Sequence, residues 1–401
     1  TRDYQRYARA IAGERLPVAL VDLDAVDANV RALIADVEAS GKTMRLATKS
    51  VRCPELIDYI VDRCGPTARG LMCYAVAEAA FLVDRGATDL LVAYPSVQQA
   101  DSRALAELNR RDGVCVRIVV DSGDHLAALG AAARAADAVI PVVVEVDMSL
   151  HALGGRLHLG VQRSPLRTAA DVVRIARAAE QTAGTRFAGV MGYEAQVAGL
   201  GETNPFTRAM NPIKAAIKKA SIPRVARLRQ EVADALAAAG LAVELFNGGG
   251  TGSLIHTDRE PVITEVTAGS GFLCSHLFDY YRHLELTPAA LFAVQVVRTP
   301  GPSMVTCHGG GYVASGEAGP DRLPLPHLPP GLTLSKFEGA GEVQTPLTGD
   351  GVAGLSIGDP VFFRHAKAGE LAEHFADYLL VRGERVVGRA PTYRGLGRAF
   401  L

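Results

Sequence analysis

The chain has 401 residues, 48% of them hydrophobic and 21% charged, enough to bury a large core and to form two domains. A net charge of -1 supplies no field to attract nucleic acid or an anionic membrane, and no apolar run is long enough to span a bilayer. Six cysteines without CxxC spacing read as reduced thiols of a cytoplasmic protein.

The opening Thr1-Arg2-Asp3-Tyr4 has no signal-peptide pattern, and the missing initiator Met implies trimming. Between residues 43 and 267 apolar strand-like runs alternate with amphipathic helical windows. Strands are predicted at 44–48, 70–74, 89–93, 114–120, 139–146, 187–192, 243–246 and 262–267. Their continuous Val/Ile/Leu character is that of parallel strands buried on both faces. Between them, Thr168 and Asp171 form a capping pattern before Val172, Val173 and Ile175. Val225, Leu228, Val232 and Leu236 recur at helical spacing, with Pro223 near the predicted helix start. Such units predict an α/β chain built on a (β/α)8 TIM barrel, with its chemistry at the strand C-terminal ends. Residues 197–222 read as an insertion, a polar loop and then a Lys-rich helical piece.

After about residue 285 helical periods vanish. Short alternating runs appear at 292–298, 303–307, 332–337 and 359–364, then a hairpin over 378–388 turning at Arg382-Gly383-Glu384. The expected division is a barrel over 1–284 and an all-β C-terminal domain over 285–401. Within residues 1–23, the opening strand Pro17–Val21 precedes the barrel and is a candidate to pair with the β-domain.

Two short segments carry the chemistry. Met44-Arg45-Leu46-Ala47-Thr48-Lys49 ends a barrel strand on a lysine, which can form an imine with an aldehyde. Asn247-Gly248-Gly249-Gly250-Thr251-Gly252-Ser253 leaves backbone N–H groups able to hold a phosphate, where barrels commonly hold one. Singly they read as a surface lysine and a tight turn. Together, in this order, they point to pyridoxal 5'-phosphate, with Lys49 bonded to it and Gly249, Gly250, Thr251 and Gly252 around its phosphate. Arg45 and Arg52 are expected to favour the neutral, nucleophilic amine of Lys49 by like-charge repulsion. Glu145, Asp147, Tyr193 and Glu194 end strands five and six and are expected at the rim. Arg156, in a Gly-Gly-Arg turn, is a candidate to hold the cofactor's phenolate oxygen and reads equally as a solvated loop charge.

At these residues the chain resembles the fold-type III pyridoxal enzymes, in particular the D-threonine aldolase and D-serine dehydratase branch of the alanine-racemase-like superfamily. Pro17–Asp24, Arg45–Ser50, Met191-Gly192-Tyr193-Glu194, Gly248–Ser253 and Ala268-Gly269-Ser270 carry the likeness. It implies a barrel plus β-domain, covalently held cofactor and a head-to-tail homodimer. In this branch a late motif supplies a His and, two residues on, an Asp or Cys for a divalent cation. Here the segment reads Arg364-His365-Ala366-Lys367-Ala368-Gly369-Glu370. An ammonium has no lone pair for a metal, so no metal is expected unless Glu370 or a residue of Glu342-Val343-Gln344-Thr345 completes a site on His365.

The resemblance implies a lyase acting on a 3-hydroxy amino acid of D configuration, by retro-aldol cleavage or dehydration through an external aldimine. Lys49 is the acid/base at Cα, His365 acts at Cβ, and the Lys367 ammonium stands where the cation would be. An amino-acid racemase is the alternative; it needs a second base on the opposite face, typically a partner-chain tyrosine, for which Tyr280, Tyr281 and Tyr312 are available. A non-catalytic pyridoxal-phosphate carrier, or a barrel enzyme for another phosphorylated ligand, is more remote.

Overall fold

The computed structural model describes residues 1–152, 157–367 and 369–401. Eight parallel strands close into a barrel: β2 (Thr43–Ala47), β3 (Ala68–Cys73), β4 (Asp89–Val92), β5 (Cys115–Val120), β6 (Ile140–Glu145), β9 (Thr185–Gly192), β10 (Leu245–Gly248) and β11 (Glu265–Ala268). Each predicted barrel strand is therefore present, the last two beginning a few residues later than their patterns suggest. Before the barrel lies β1 (Val18–Asp22), and between β6 and β9 a small hairpin is formed by β7 (Leu150–Ala152) and β8 (Leu157–Leu159). Leu91, Val119, Val143, Ala188 and Leu245 pack together as the barrel's inner core. A much larger cluster joins the outer strand faces to the surrounding helices.

Local chemistry sets the helix starts. The Asp22 carboxylate accepts from the N–H groups of Asp24 (2.9 Å) and Ala25 (3.3 Å), capping helix Leu23–Ala39. Thr168 and Asp171 make the expected capping box at helix Ala169–Gln181. Pro223 departs from expectation. It lies inside one 28-residue helix, Asn211–Ala238, rather than near a helix start. The Lys-rich piece and the Val225–Leu236 stripe are thus one element.

The second sheet has nine strands: β1, β12 (Ala290–Gly301), β13 (Met304–His308), β14 (Leu325–Leu328), β15 (Thr333–Leu334), β16 (Gln344–Thr348), β17 (Pro360–Arg364), β18 (Asp377–Arg382) and β19 (Arg385–Pro391). The opening strand belongs here. β1 runs antiparallel to β12 and parallel to β18. The β18–β19 hairpin pairs Arg382 with Arg385 at its turn. β14 and β16, each holding a proline, have no counterpart among the predicted runs.

One contact presses this sheet's loops onto the barrel rim. Gly369 has φ +91°, and a Cβ there would fall 1.9 Å from the Lys49 carbonyl oxygen. Only glycine permits that approach. It brings the segment after β17 over the end of β2.

Candidate active site

A cavity of about 370 Å³ opens at the C-terminal rim of the barrel, with Ser315, Arg322, Lys367 and Glu370 from the β-domain along one side. Lys49, Tyr193, Gly249, Gly250, Thr251, Gly252 and Lys367 all line it. Predicted site residues from the barrel loops and from the second sheet thus meet in one space. Arg156 lies outside the described residues.

Lys49 sits in the single turn Thr48–Ser50 that succeeds β2. That turn is pinned: Thr48 Oγ1 donates to the Met72 carbonyl at 3.0 Å, and Arg52 Nε donates to the Lys49 carbonyl at 3.0 Å. The Lys49 ammonium donates to Tyr94 Oη at 2.8 Å. Tyr94 ends β4 as Lys49 ends β2, so the rule that found the lysine also reaches this tyrosine. Arg163 lies 5.8 Å from the Tyr94 ring centroid and 5.7 Å from that of Tyr193. It is the cavity's arginine on the loop after β6. Neither Tyr94 nor Arg163 was singled out from sequence.

The glycine bend after β10 is held from beneath by Glu194. This wholly buried carboxylate accepts from Ser253 Oγ (2.7 Å), Thr257 Oγ1 (2.5 Å) and the Gly249 N–H (3.2 Å), and pairs with the Arg229 guanidinium. Burial alone would raise its pKa; Arg229 and the two hydroxyl donors outweigh that and hold it below the usual carboxylate range. Thr251 Oγ1 accepts the Gly271 N–H at 3.2 Å. At Gly252 a Cβ would fall 2.2 Å from the Ala198 carbonyl oxygen and 2.5 Å from Tyr281 Cε1. At Gly252 the protein's own atoms leave no space for a side chain, and Gly249, Gly250, Thr251 and Gly252 all line the cavity.

Several expectations need correction. Arg45 does not approach Lys49. It points into the barrel interior, where Nε and Nη2 each donate to Glu265 at 2.9 Å and Nη1 donates to Asp89 at 2.8 Å. Arg52 does line the cavity, paired with Glu373 at 2.6 Å. Of the four polar rim residues only Tyr193 lines the cavity; burial pushes its hydroxyl up to about 12. Glu145 is buried behind it, its carboxyl raised to about 7 by burial. Asp147 accepts from the Ser149 N–H at 2.9 Å and lies 3.1 Å from His151 Nε2.

His365 is the largest departure. It is 3% exposed, absent from the cavity lining, and neither ring nitrogen has a hydrogen-bond partner among the described residues. Burial, with Arg364 and His276 nearby, pushes its pKa down to about 3. The chain bends at Ala366-Lys367, so strand alternation no longer puts residues two apart on one face. Lys367 goes to the cavity and His365 to the core. Lys367 Nζ donates to Ser315 Oγ at 3.1 Å.

The residues fit pyridoxal phosphate: an amine, a glycine bend with Thr251, and aromatic walls share one cavity. They do not fit a divalent cation beside His365, which is sealed in the core with an ammonium two residues on. Elsewhere, Asp147, His151 and His158 each place one ligand atom within 4.8 Å of the others. Arg167 Nε lies 3.5 Å from the same Asp147 oxygen that meets His151, a charge that opposes a cation there. This group braces the β7–β8 hairpin outside the cavity.

A family model described as the alanine racemase N-terminal domain matches residues 21–271. The chain is 29% identical over 325 residues to a D-threonine aldolase from Arthrobacter sp, covering 80% of this chain and 77% of that protein. It is 28% identical over 254 residues to a 3-hydroxy-D-aspartate aldolase from Paracoccus denitrificans (strain Pd 1222), covering 63% and 59%. Among solved structures, D-threonine aldolase from Filomicrobium marinum superposes with TM-score 0.79 at 23% identity over 95% of both chains. The D-threo-3-hydroxyaspartate dehydratase from Delftia sp. HT23 gives TM-score 0.75 at 20% identity, over 96% of this chain and 98% of that one. At these identities the two structures establish the fold.

Proposed function

The chain belongs to the alanine racemase N-terminal-domain family, among the fold-type III pyridoxal phosphate enzymes, and from that premise we propose a pyridoxal-phosphate-dependent lyase of 3-hydroxy amino acids. One observation carries the reading: Lys49, the glycine bend and Lys367 line the same cavity of about 370 Å³. When bound, the cofactor supplies an electron sink that weakens the bonds at a substrate's Cα. Lys49 would hold it covalently, Gly249, Gly250, Thr251 and Gly252 its phosphate, and Arg163 the edge of its ring.

The chain's own groups divide the remaining work. The Lys49 amine would take or return the proton at Cα, with Tyr94 Oη fixing its direction. Lys367, held by Ser315, hydrogen-bonds the substrate's 3-hydroxyl: as an ammonium it gives a proton to a departing hydroxyl, which leaves as water, and as a neutral amine it takes the hydroxyl proton when Cα–Cβ breaks to release an aldehyde. His365 has no direct part in this scheme. The reaction proposed is metal-independent, because an ammonium stands where a cation would be needed.

Racemisation needs a second base on the opposite face. Of the three candidate tyrosines only Tyr281 lines the cavity, and its hydroxyl donates to the Ala198 carbonyl at 2.8 Å. Burial drives its pKa well up, so it is a poor base. The lyase reading is favoured within this chain. The proposal includes a D-configured substrate, a cytoplasmic location and a head-to-tail homodimer.

Borohydride reduction and then peptide mapping test the assignment. The expected result is cofactor mass on the Lys49 peptide and aldehyde or 2-oxo acid from D-threonine, D-serine or 3-hydroxyaspartate. Cofactor mass on another residue would remove the proposal.

A further inference from the structure

An amino acid brings an α-carboxylate into the cavity as well as the amine that the cofactor takes, and the scheme above gives that carboxylate no partner. Five cationic side chains line the cavity: Lys49, Arg52, Arg163, Arg322 and Lys367. In the scheme Lys49 and Arg163 belong to the cofactor and Lys367 to the 3-hydroxyl, while Arg52 is neutralised by Glu373 at 2.6 Å. Arg322 is left, on the β-domain wall.

The fold builds a place for this arginine. Its carbonyl accepts the Ala314 N–H at 2.9 Å, and the next carbonyl, that of Leu323, lies 2.9 Å from His276 Nε2. The guanidinium lies against Gly316, whose φ is +113°. A Cβ there would fall 3.2 Å from Arg322 Nε and 3.6 Å from Nη2, so glycine suits both the turn and the close approach.

The donors of that guanidinium are not spent on the protein's own carboxylates. Arg322 Nε is buried with no partner among the described residues. Glu370, which lines the cavity, uses its two oxygens on the Ser315 N–H at 3.2 and 3.0 Å. Asp321 Oδ2 stops 3.7 Å from Arg322 Nη1, beyond hydrogen-bond reach, and accepts instead from Asn204 Nδ2 at 3.1 Å. Asn204 belongs to the 197–222 insertion, which had no part in the scheme; here it holds Asp321 back from the arginine. A guanidinium fixed in place with donors open is suited to a bidentate carboxylate.

Resting on the lyase reading above, we propose that Arg322 binds the substrate's α-carboxylate, and that Asn204 keeps the guanidinium available by engaging Asp321.

D-alanine and ethylamine separate this from a structural role. Both lack a 3-hydroxyl, so neither is a lyase substrate, and they differ by the carboxylate alone. Each is titrated into the holoenzyme at one pH, by calorimetry and by the change in the visible band. Arg322→Met should weaken D-alanine by about tenfold or more and leave ethylamine within about twofold. Arg322→Lys should recover part of that loss, because it keeps the charge and gives up the fork. Asp321→Asn leaves an amide oxygen for Asn204 and removes the competing charge, so it should tighten D-alanine by about two- to fivefold. Damage to the fold would not produce such a gain. Asn204→Ala does the reverse, freeing Asp321 for the arginine, and should weaken D-alanine alone. Equal weakening of both ligands by Arg322→Met, or a D-alanine affinity that none of these variants moves, would overturn the assignment. If neither compound changes the visible band of the unaltered enzyme, the lyase reading itself fails and takes this inference with it.

Discussion

Lys49 and Tyr94 stand at the ends of different barrel strands, yet the lysine amine meets the tyrosine hydroxyl at 2.8 Å, and its nitrogen lies 5.5 Å from the tyrosine ring centroid. Removing the hydroxyl keeps the ring and deletes the bond that aims the amine. Tyr94→Phe should therefore retain the cofactor on Lys49 while lowering kcat by about tenfold, with KM changed little. Cofactor absorbance and steady-state kinetics on one preparation decide it. Loss of cofactor would show instead that Tyr94 holds the ligand.

Glu194 supports the glycine bend through a buried pair with Arg229 and three further hydrogen bonds, so its charge matters to stability as well as to binding. Its pKa is depressed in the folded protein, against burial, by Arg229 and the Thr257 and Ser253 hydroxyls. The stabilisation it contributes is present above the unfolded value, about 4.3, and is lost as pH falls through the lower folded value. Glu194→Gln leaves Arg229 with Glu260, at 2.6 Å, as its carboxylate partner among the described residues, beside the Gly192 carbonyl. It should cost about 3–5 kcal/mol at neutral pH, and less in acid, where the unaltered protein has lost the same pair. Melting temperatures of both proteins across the acid range check this: a gap that stays constant with pH would refute the assignment.

The barrel was legible because its strands are buried on both faces, which writes them as runs of Val, Ile and Leu. β10 ends later than its apolar run because Asn247 and Gly248 continue it, with Asn247 Nδ2 donating to Glu265 and Thr267 of the neighbouring strand β11 at 2.8 and 2.9 Å. A polar residue facing the barrel interior does not read as strand. β14 and β16 were hidden by Pro326 and Pro346, which remove ladder donors. Pro346 nevertheless sits opposite Thr306, and its carbonyl accepts from Ser335 at 3.0 Å. That Lys49, Tyr193 and the glycine bend share one cavity was legible because each sits at a strand end on the same rim. Arg163, Ser315 and Arg322 lie in loops with no periodicity, and only the closed fold brings them to the cavity. His365 shows the opposite failure: a local pattern gave it chemistry that a two-residue bend took away.

That bend also bears on the proposed metal independence. A cation bound beside His365 would need an imidazole nitrogen reachable from the cavity, and both nitrogens are sealed in the core. A cation in the cavity would instead share that space with Lys367, whose ammonium repels it and offers no lone pair. Activity should survive exhaustive dialysis against a chelator with a change of less than about twofold, and added manganese or zinc should not raise it. Metal analysis of the dialysed protein belongs in the same experiment, since only protein shown to be metal-depleted tests the point. His365→Ala separates the two roles still open to the imidazole. A core residue should lose stability by about 1–3 kcal/mol while kcat/KM at a temperature well below melting stays nearly unchanged. A metal ligand would do the reverse, losing activity in step with a stoichiometric metal and recovering both when the metal is returned.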